Sequence, residues 1–169
     1  MTARGFLHGC LAAALASLLL AFPPAPAFPQ NASPAPQEME VLGVATDQQS
    51  GQPMVLLRGK TDRRALTMVI DPSAAIGIAL PLQGVTPPRP FTHDLLLTVL
   101  RRAGLTLERV IITDLKENTY FATLILRRGT EPLEIDSRPS DAIALALRAG
   151  APILAAEAAL KAPPEEKSP

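Results

Sequence analysis

Alternating apolar and polar positions predict three strands in quick succession, Met39–Ala45, Pro53–Arg58 and Ala65–Ile70. The segments between them, Asp47 to Gln52 and Gly59 to Arg64, have turn composition, so the three should form an antiparallel meander. The period then changes. Asp71 is a good N-cap and Pro72 a good first helical residue, and the apolar run from Ala74 to Leu80 predicts a short helix stopped by Pro81 and Gly84. A stiff connector with Pro87, Pro88 and Pro90 follows. Thr92 is then expected to cap a second helix that carries Leu95, Leu96, Val99 and Leu100 and ends at Gly104.

The same order returns. Strands are predicted near Leu107–Leu115, Tyr120–Arg127 and Leu133–Ile135, followed by a helix that starts at Pro139. From Ala142 to Leu147 that helix is apolar nearly all round, the mark of a buried helix. Residues Pro72 to Leu80 and Pro139 to Leu147 are identical at six of nine positions, and each block closely follows an Ile-Asp pair. A three-strand-plus-helix unit used twice predicts an α+β fold: a mixed, largely antiparallel sheet with helices packed on it. Pro152 to Leu154 adds a short strand and Ala155 to Lys161 a last helix.

The flanks read differently. Arg4 gives a short positive start, Cys10 to Phe22 is an unbroken apolar run, and Ala25-Pro-Ala27 has the small-x-small form of a cleavage site. The expected organisation is a signal peptide over 1–27, a Pro-rich linker over 28–38, one domain over 39–161 and a disordered tail over 162–169. The protein is therefore expected to be exported, periplasmic or secreted. An uncleaved anchor is the alternative, although the run is short for a span of roughly 20 residues.

Cleavage would remove Cys10 and His8 and leave His93 as the single His. That excludes a disulfide framework, a Cys nucleophile and a zinc site built from Cys or several His. Losing Arg4 takes the 16 basic residues to 15 against 16 acidic ones. With charge so balanced, non-specific attraction to nucleic acid is weak and binding needs a local patch. Arg63-Arg64, Arg101-Arg102 and Arg127-Arg128 could supply one, but each pair sits at a turn or element end, where solvation is the plain reading. Phe91, Tyr120 and Phe121 are the only aromatics of the domain, which argues against single-strand recognition by stacking.

The candidate chemistry gathers where the strand ending Glu134-Ile-Asp136 runs through Ser137-Arg138 into the buried helix. Asp136, Arg138 and Asp141 surround a helix N-terminus, an arrangement suited to a phosphate, a metal ion or a proton transfer. The plain structural reading has Asp141 favouring the helix dipole and Arg138 pairing with Asp136 across the turn.

Together, Val41-Leu-Gly-Val44, Arg89-Pro90 with Thr92-His93-Asp94, Val110-Ile-Ile-Thr-Asp-Leu115 and Ile135-Asp-Ser-Arg-Pro-Ser-Asp-Ala142 resemble the bifunctional nuclease domain. That family is named for DNase and RNase activity in plant members. The resemblance covers about Met39 to Leu160, and as an ordered set its motifs are specific. It implies phosphodiester hydrolysis of DNA and RNA. His93 would act as base or acid, with Asp94 beside it, and Asp136 and Asp141 would orient water or hold Mg²⁺ or another divalent cation. Arg89, Arg138 and Ser140 would bind the phosphate, and Asp114 is a weaker match.

One departure stands out. Where the family usually carries Ile-Gly-Pro-Phe-Glu-Ala, this chain has Ile70-Asp-Pro-Ser-Ala74-Ala75, so Ala74 replaces a carboxylate at the repeat counterpart of Asp141. Asp71, three residues earlier, could substitute for it or simply cap its helix. The departure favours a second expectation, a non-catalytic exported binding or scaffold module for an anionic ligand. A homodimer or homotrimer is expected from a sheet with apolar edges.

Overall fold

The computed structural model describes residues 34–161. The expected signal peptide and the tail lie outside the described residues. Strands β1 (Gln37–Thr46), β2 (Pro53–Gly59) and β3 (Ala65–Val69) form the first antiparallel meander. Helices α1 (Pro72–Leu82) and α2 (Thr92–Arg102) follow it. Strands β4 (Thr106–Lys116), β5 (Thr119–Arg128) and β6 (Glu131–Ser137) make the second meander, which runs into α3 (Pro139–Ala149). Strand β7 (Ile153–Ala155) and helix α4 (Glu157–Leu160) close the described chain.

The strands build one seven-stranded sheet in the order β3-β2-β1-β7-β4-β5-β6. Strand β7 pairs antiparallel with β1 and parallel with β4, and so joins the two meanders. The fold is thus α+β with a mixed, largely antiparallel sheet, and a meander-plus-helix unit occurs twice. Glu117 and Asn118 both have positive φ at the β4–β5 turn, where two left-handed residues match the twist of a tight hairpin.

One face of the sheet carries Val55, Leu57, Leu66 and Met68 from the first meander and Val110, Ile112, Ala122, Leu124 and Leu126 from the second. Ile78 of α1 and Ala142 to Ala146 of α3 join them in one core, and those five α3 residues have no exposed surface. A helix apolar all round is stable only when covered in this way. Truncating Ile143 to Ala there would cost about 2–5 kcal/mol.

Among the boundaries that differ from the sequence expectation, three have a plain local reason. Strand β1 begins two residues before Met39, because Gln37 and Glu38 pair with β7. Phe91, not Thr92, occupies the N-cap of α2, and the Asp94 carboxylate reaches back to accept from the Phe91 N–H at 2.9 Å. Pro81 does not stop α1 but lies in its last turn. It has no N–H for the carbonyl of Gly77, four residues earlier, which is therefore left free for another donor.

Candidate functional site

The two repeat helices bring their N-termini together. At α1, Oδ1 of Asp71 accepts from the Ala74 N–H at 2.9 Å and caps the helix. At α3 the capping position is Arg138, whose side chain instead reaches to both sides. Its Nε donates to Oδ2 of Asp141 at 2.7 Å and its Nη2 to Oδ1 of the same carboxylate at 3.1 Å. Its Nη1 donates to Oδ2 of Asp71 at 3.1 Å, linking the repeats. Asp71 therefore both caps its helix and holds Arg138, while Arg138 forms no ion pair with Asp136 among the described residues.

His93, in the first turn of α2, completes the cluster. Its Nε2 lies 3.1 Å from Oδ1 of Asp141, and its side chain is only 14% exposed. The ring lies against Gly77 so closely that a Cβ there would come within 3.0 Å of Cε1 and 3.1 Å of Nδ1. Gly77 is the residue that lets the imidazole approach α1.

A second, more enclosed ion pair stands beside the first. Nε of Arg148, a side chain 7% exposed, donates to Oδ1 of Asp94 at 2.7 Å. Its Nη1 donates to the Gly77 carbonyl at 2.6 Å and to the Ala144 carbonyl at 2.9 Å. The acceptor freed by Pro81 is thus taken by α3, and one guanidinium ties α1, α2 and α3 together next to His93.

The carboxylates are held ionised. The Ser73 hydroxyl, the Ala74 N–H and the charge of Arg138 bring Asp71 down to about 2 against the effect of burial. Burial pushes Asp141 up, but hydrogen bonds and charge from Arg138 and His93 more than offset it, leaving Asp141 below its ordinary value. Asp94 is likewise lowered: burial opposes ionisation, and the Arg148 guanidinium with the Phe91 N–H outweighs it.

Among the described residues, the other sequence candidates make no side-chain hydrogen bond to this cluster, although Ser140 lines a groove together with Arg138. Asp136 is exposed on β6 and pairs in register with Thr123, whereas its neighbour Ile135 pairs with Leu124 of the core face. Alternation along the strand therefore puts Asp136 on the opposite face of the sheet. Arg89 is exposed on the connector and has no side-chain hydrogen bond among the described residues. Ser140 is buried in the first turn of α3, and Ala74 is 1% exposed, so its position brings no polar side chain to the cluster. Asp114 is engaged locally within β4, accepting from the Leu115 N–H and pairing with Lys116. Arg64 pairs with Glu157 and Arg127 with Glu108. Sequence reasoning missed Arg148 and the engagement of Asp71 with Arg138.

Strand alternation turns Asp136 away from the sheet face on which α3 carries Asp141. No group of three or more His, Cys, Asp or Glu side chains among the described residues is placed to hold a metal ion. The cluster offers two carboxylates, Asp71 and Asp141, bridged by a guanidinium.

Arg138 also lines two grooves. One, of about 460 Å³, is lined by residues of the β3–α1 junction, by Asn118, Thr119 and Tyr120 of the β4–β5 hairpin, and by Arg138. The other, of about 330 Å³, is lined by Gly77, Phe91, His93, Arg138 and Asp141 among others. Oriented carboxylate, imidazole and guanidinium groups at such an opening can bind an anion and move a proton.

A family model described as the bifunctional nuclease domain matches residues 55–166. An uncharacterized protein of Mycobacterium tuberculosis is 44% identical over 123 residues, which is 73% of this chain and 73% of that protein. Bifunctional nuclease 1 of Oryza sativa subsp. japonica is 28% identical over 91 residues, covering 52% of this chain and 28% of the rice protein.

Proposed function

The chain belongs to the bifunctional nuclease domain family, and from that premise we propose that it hydrolyses phosphodiester bonds of DNA and RNA at the cluster of His93, Asp141 and Arg138. The observation that carries the reading is the contact of His93 with Asp141, which itself holds Arg138. In this reading His93 exchanges the proton of the reaction. Asp141, held ionised, orients the ring and stabilises its protonated form. Three of the five N–H groups of Arg138 are engaged by Asp141 and Asp71, and the remaining two take phosphate oxygens. Asp71 fixes that guanidinium. Asp94 acts through the position of His93, and Arg89, Asp136 and Ser140 have weaker geometric support.

A divalent cation such as Mg²⁺ remains part of the proposal. With so few carboxylates present, water and phosphate oxygens would supply most of its ligands, as is usual for Mg²⁺. Export is carried by the sequence signal of the first 27 residues. A homodimer or homotrimer is supported by Leu95, Leu96 and Val99, which stand exposed along α2.

The test is a nuclease assay on highly purified protein with single- and double-stranded DNA and RNA, with Mg²⁺ or chelator, beside His93→Ala and Asp141→Ala prepared identically. Cleavage lost in both folded variants supports the proposal. Equal traces in all three, or none, overturn it in favour of the binding module, the reading favoured by the buried Ala74.

A further inference from the structure

Resting on the proposed phosphodiester reading, we propose that the substrate is a single strand splayed across Arg138, with one base in each of the two flanking grooves. Arg138 lines both grooves. Three aromatic residues occur among the described residues, and two of them are divided between these grooves: Tyr120 lines the larger and Phe91 the smaller. Phe91 is 46% exposed, so its ring is open to a stacking partner. Tyr120 is half-buried against the core, which fixes its ring as a wall. The placement of the rings, not their number, makes the site suitable for bases.

The volumes agree. Grooves of about 460 and 330 Å³ fall in the range that takes a small ligand, here one nucleoside-sized body each. A base enters such a groove only when it is free of its duplex stack, which selects single strands over paired ones.

Charge points the same way. The full chain carries 16 basic and 16 acidic residues, and the cluster sets one guanidinium between two carboxylates. Such a surface does not hold nucleic acid by its backbone charge, so the bases must supply most of the affinity. Asn118 and Thr119 line the larger groove and bring polar groups to a base edge there.

The chain contains no Trp, so Phe91→Trp and Tyr120→Trp each introduce a single fluorescent reporter. The probes are a phosphorothioate-linked pentathymidylate, a GC-clamped hairpin that holds the same five thymidines paired in its stem, and an abasic strand equal in length to the pentathymidylate. Both reporters should be quenched by the pentathymidylate and not by the abasic strand, and the hairpin should bind at least tenfold more weakly. Phe91→Ala and Tyr120→Ala should each weaken binding of the thymidylate strand about tenfold, within the range for one stacked base, and leave the abasic strand unchanged. The slope of log affinity against log salt should lie near −0.7, the value for about one phosphate neutralised on a single strand.

Arg138→Met and Arg138→Lys, checked for folding by circular dichroism, separate the two levels of the proposal. If they lose both strands while the alanine variants keep full affinity for the thymidylate, base docking is overturned and phosphate binding stands. If the parent protein binds neither strand, both readings fall.

Discussion

The His93 ring packs against Gly77 with no room to spare: a Cβ at position 77 would lie 3.0 Å from Cε1, and the imidazole would have to give by a few tenths of an ångström to admit it. In an exposed helix Gly→Ala is worth up to about 1 kcal/mol of stability. Here that gain is set against displacement of the ring. Gly77→Ala should leave the unfolding midpoint nearly unchanged, shift the His93 ring resonances in NMR and reduce cleavage at least tenfold. Unchanged resonances with full activity would show that the contact does not position His93.

The Arg148–Asp94 pair should respond asymmetrically to truncation. Asp94→Ala leaves a guanidinium that is 7% exposed without its counter-charge, whereas Arg148→Met leaves a carboxylate that is 31% exposed and still bonded to the Phe91 N–H. Urea unfolding should give about 3 kcal/mol for Asp94→Ala and about 2 kcal/mol for Arg148→Met. The reverse order would mean that the two carbonyl acceptors, not Asp94, dominate the hold on Arg148.

The two tasks of Asp71 are separable. Serine also caps helices but cannot reach Arg138 as a charged partner, so Asp71→Ser should keep stability within about 0.5 kcal/mol. Asp71→Ala should cost about 1 kcal/mol through the lost cap. Both should lower affinity for phosphate-containing ligands if Asp71 holds Arg138 in place, which isothermal titration would measure.

Acid should weaken the helix junction. Asp71, Asp94 and Asp141 all lie below their ordinary carboxylate values in the folded chain, Asp71 at about 2. Groups lowered by folding stabilise the native state above their unfolded value of 3.8 and lose that contribution as pH falls through the folded value. The urea midpoint should therefore decline from about pH 5 towards pH 2. The decline should be shallower in Asp71→Asn, and an equal slope in that variant would remove Asp71 from the account.

Much of the scaffold was legible in the chain because its signals are local. Asp71-Pro72 announces a cap and a first turn, and the all-apolar run after Asp141 announces burial. Strand β7 is only three residues long, so periodicity could not show that it joins the two meanders. The site was less legible because it depends on register and on helix packing. Asp136 and Asp141 are close in sequence, yet strand alternation turns Asp136 to the far face. Nothing local distinguishes Arg148 from a solvated helix-end residue. A trace of the arrangement did exist in the repeat: Gly77 aligns with Ala144, and that one missing methyl marks the place where His93 enters.

Pro81 gives the junction an unusual logic. A residue that weakens its own helix leaves a vacancy in the backbone ladder, and a side chain from a neighbouring helix fills it. The seam between α1 and α3 is therefore keyed by an absent hydrogen atom. A change that perfected α1, such as Pro81→Ala, would give Arg148 a competitor for the Gly77 carbonyl and loosen the lock on the helix that carries His93.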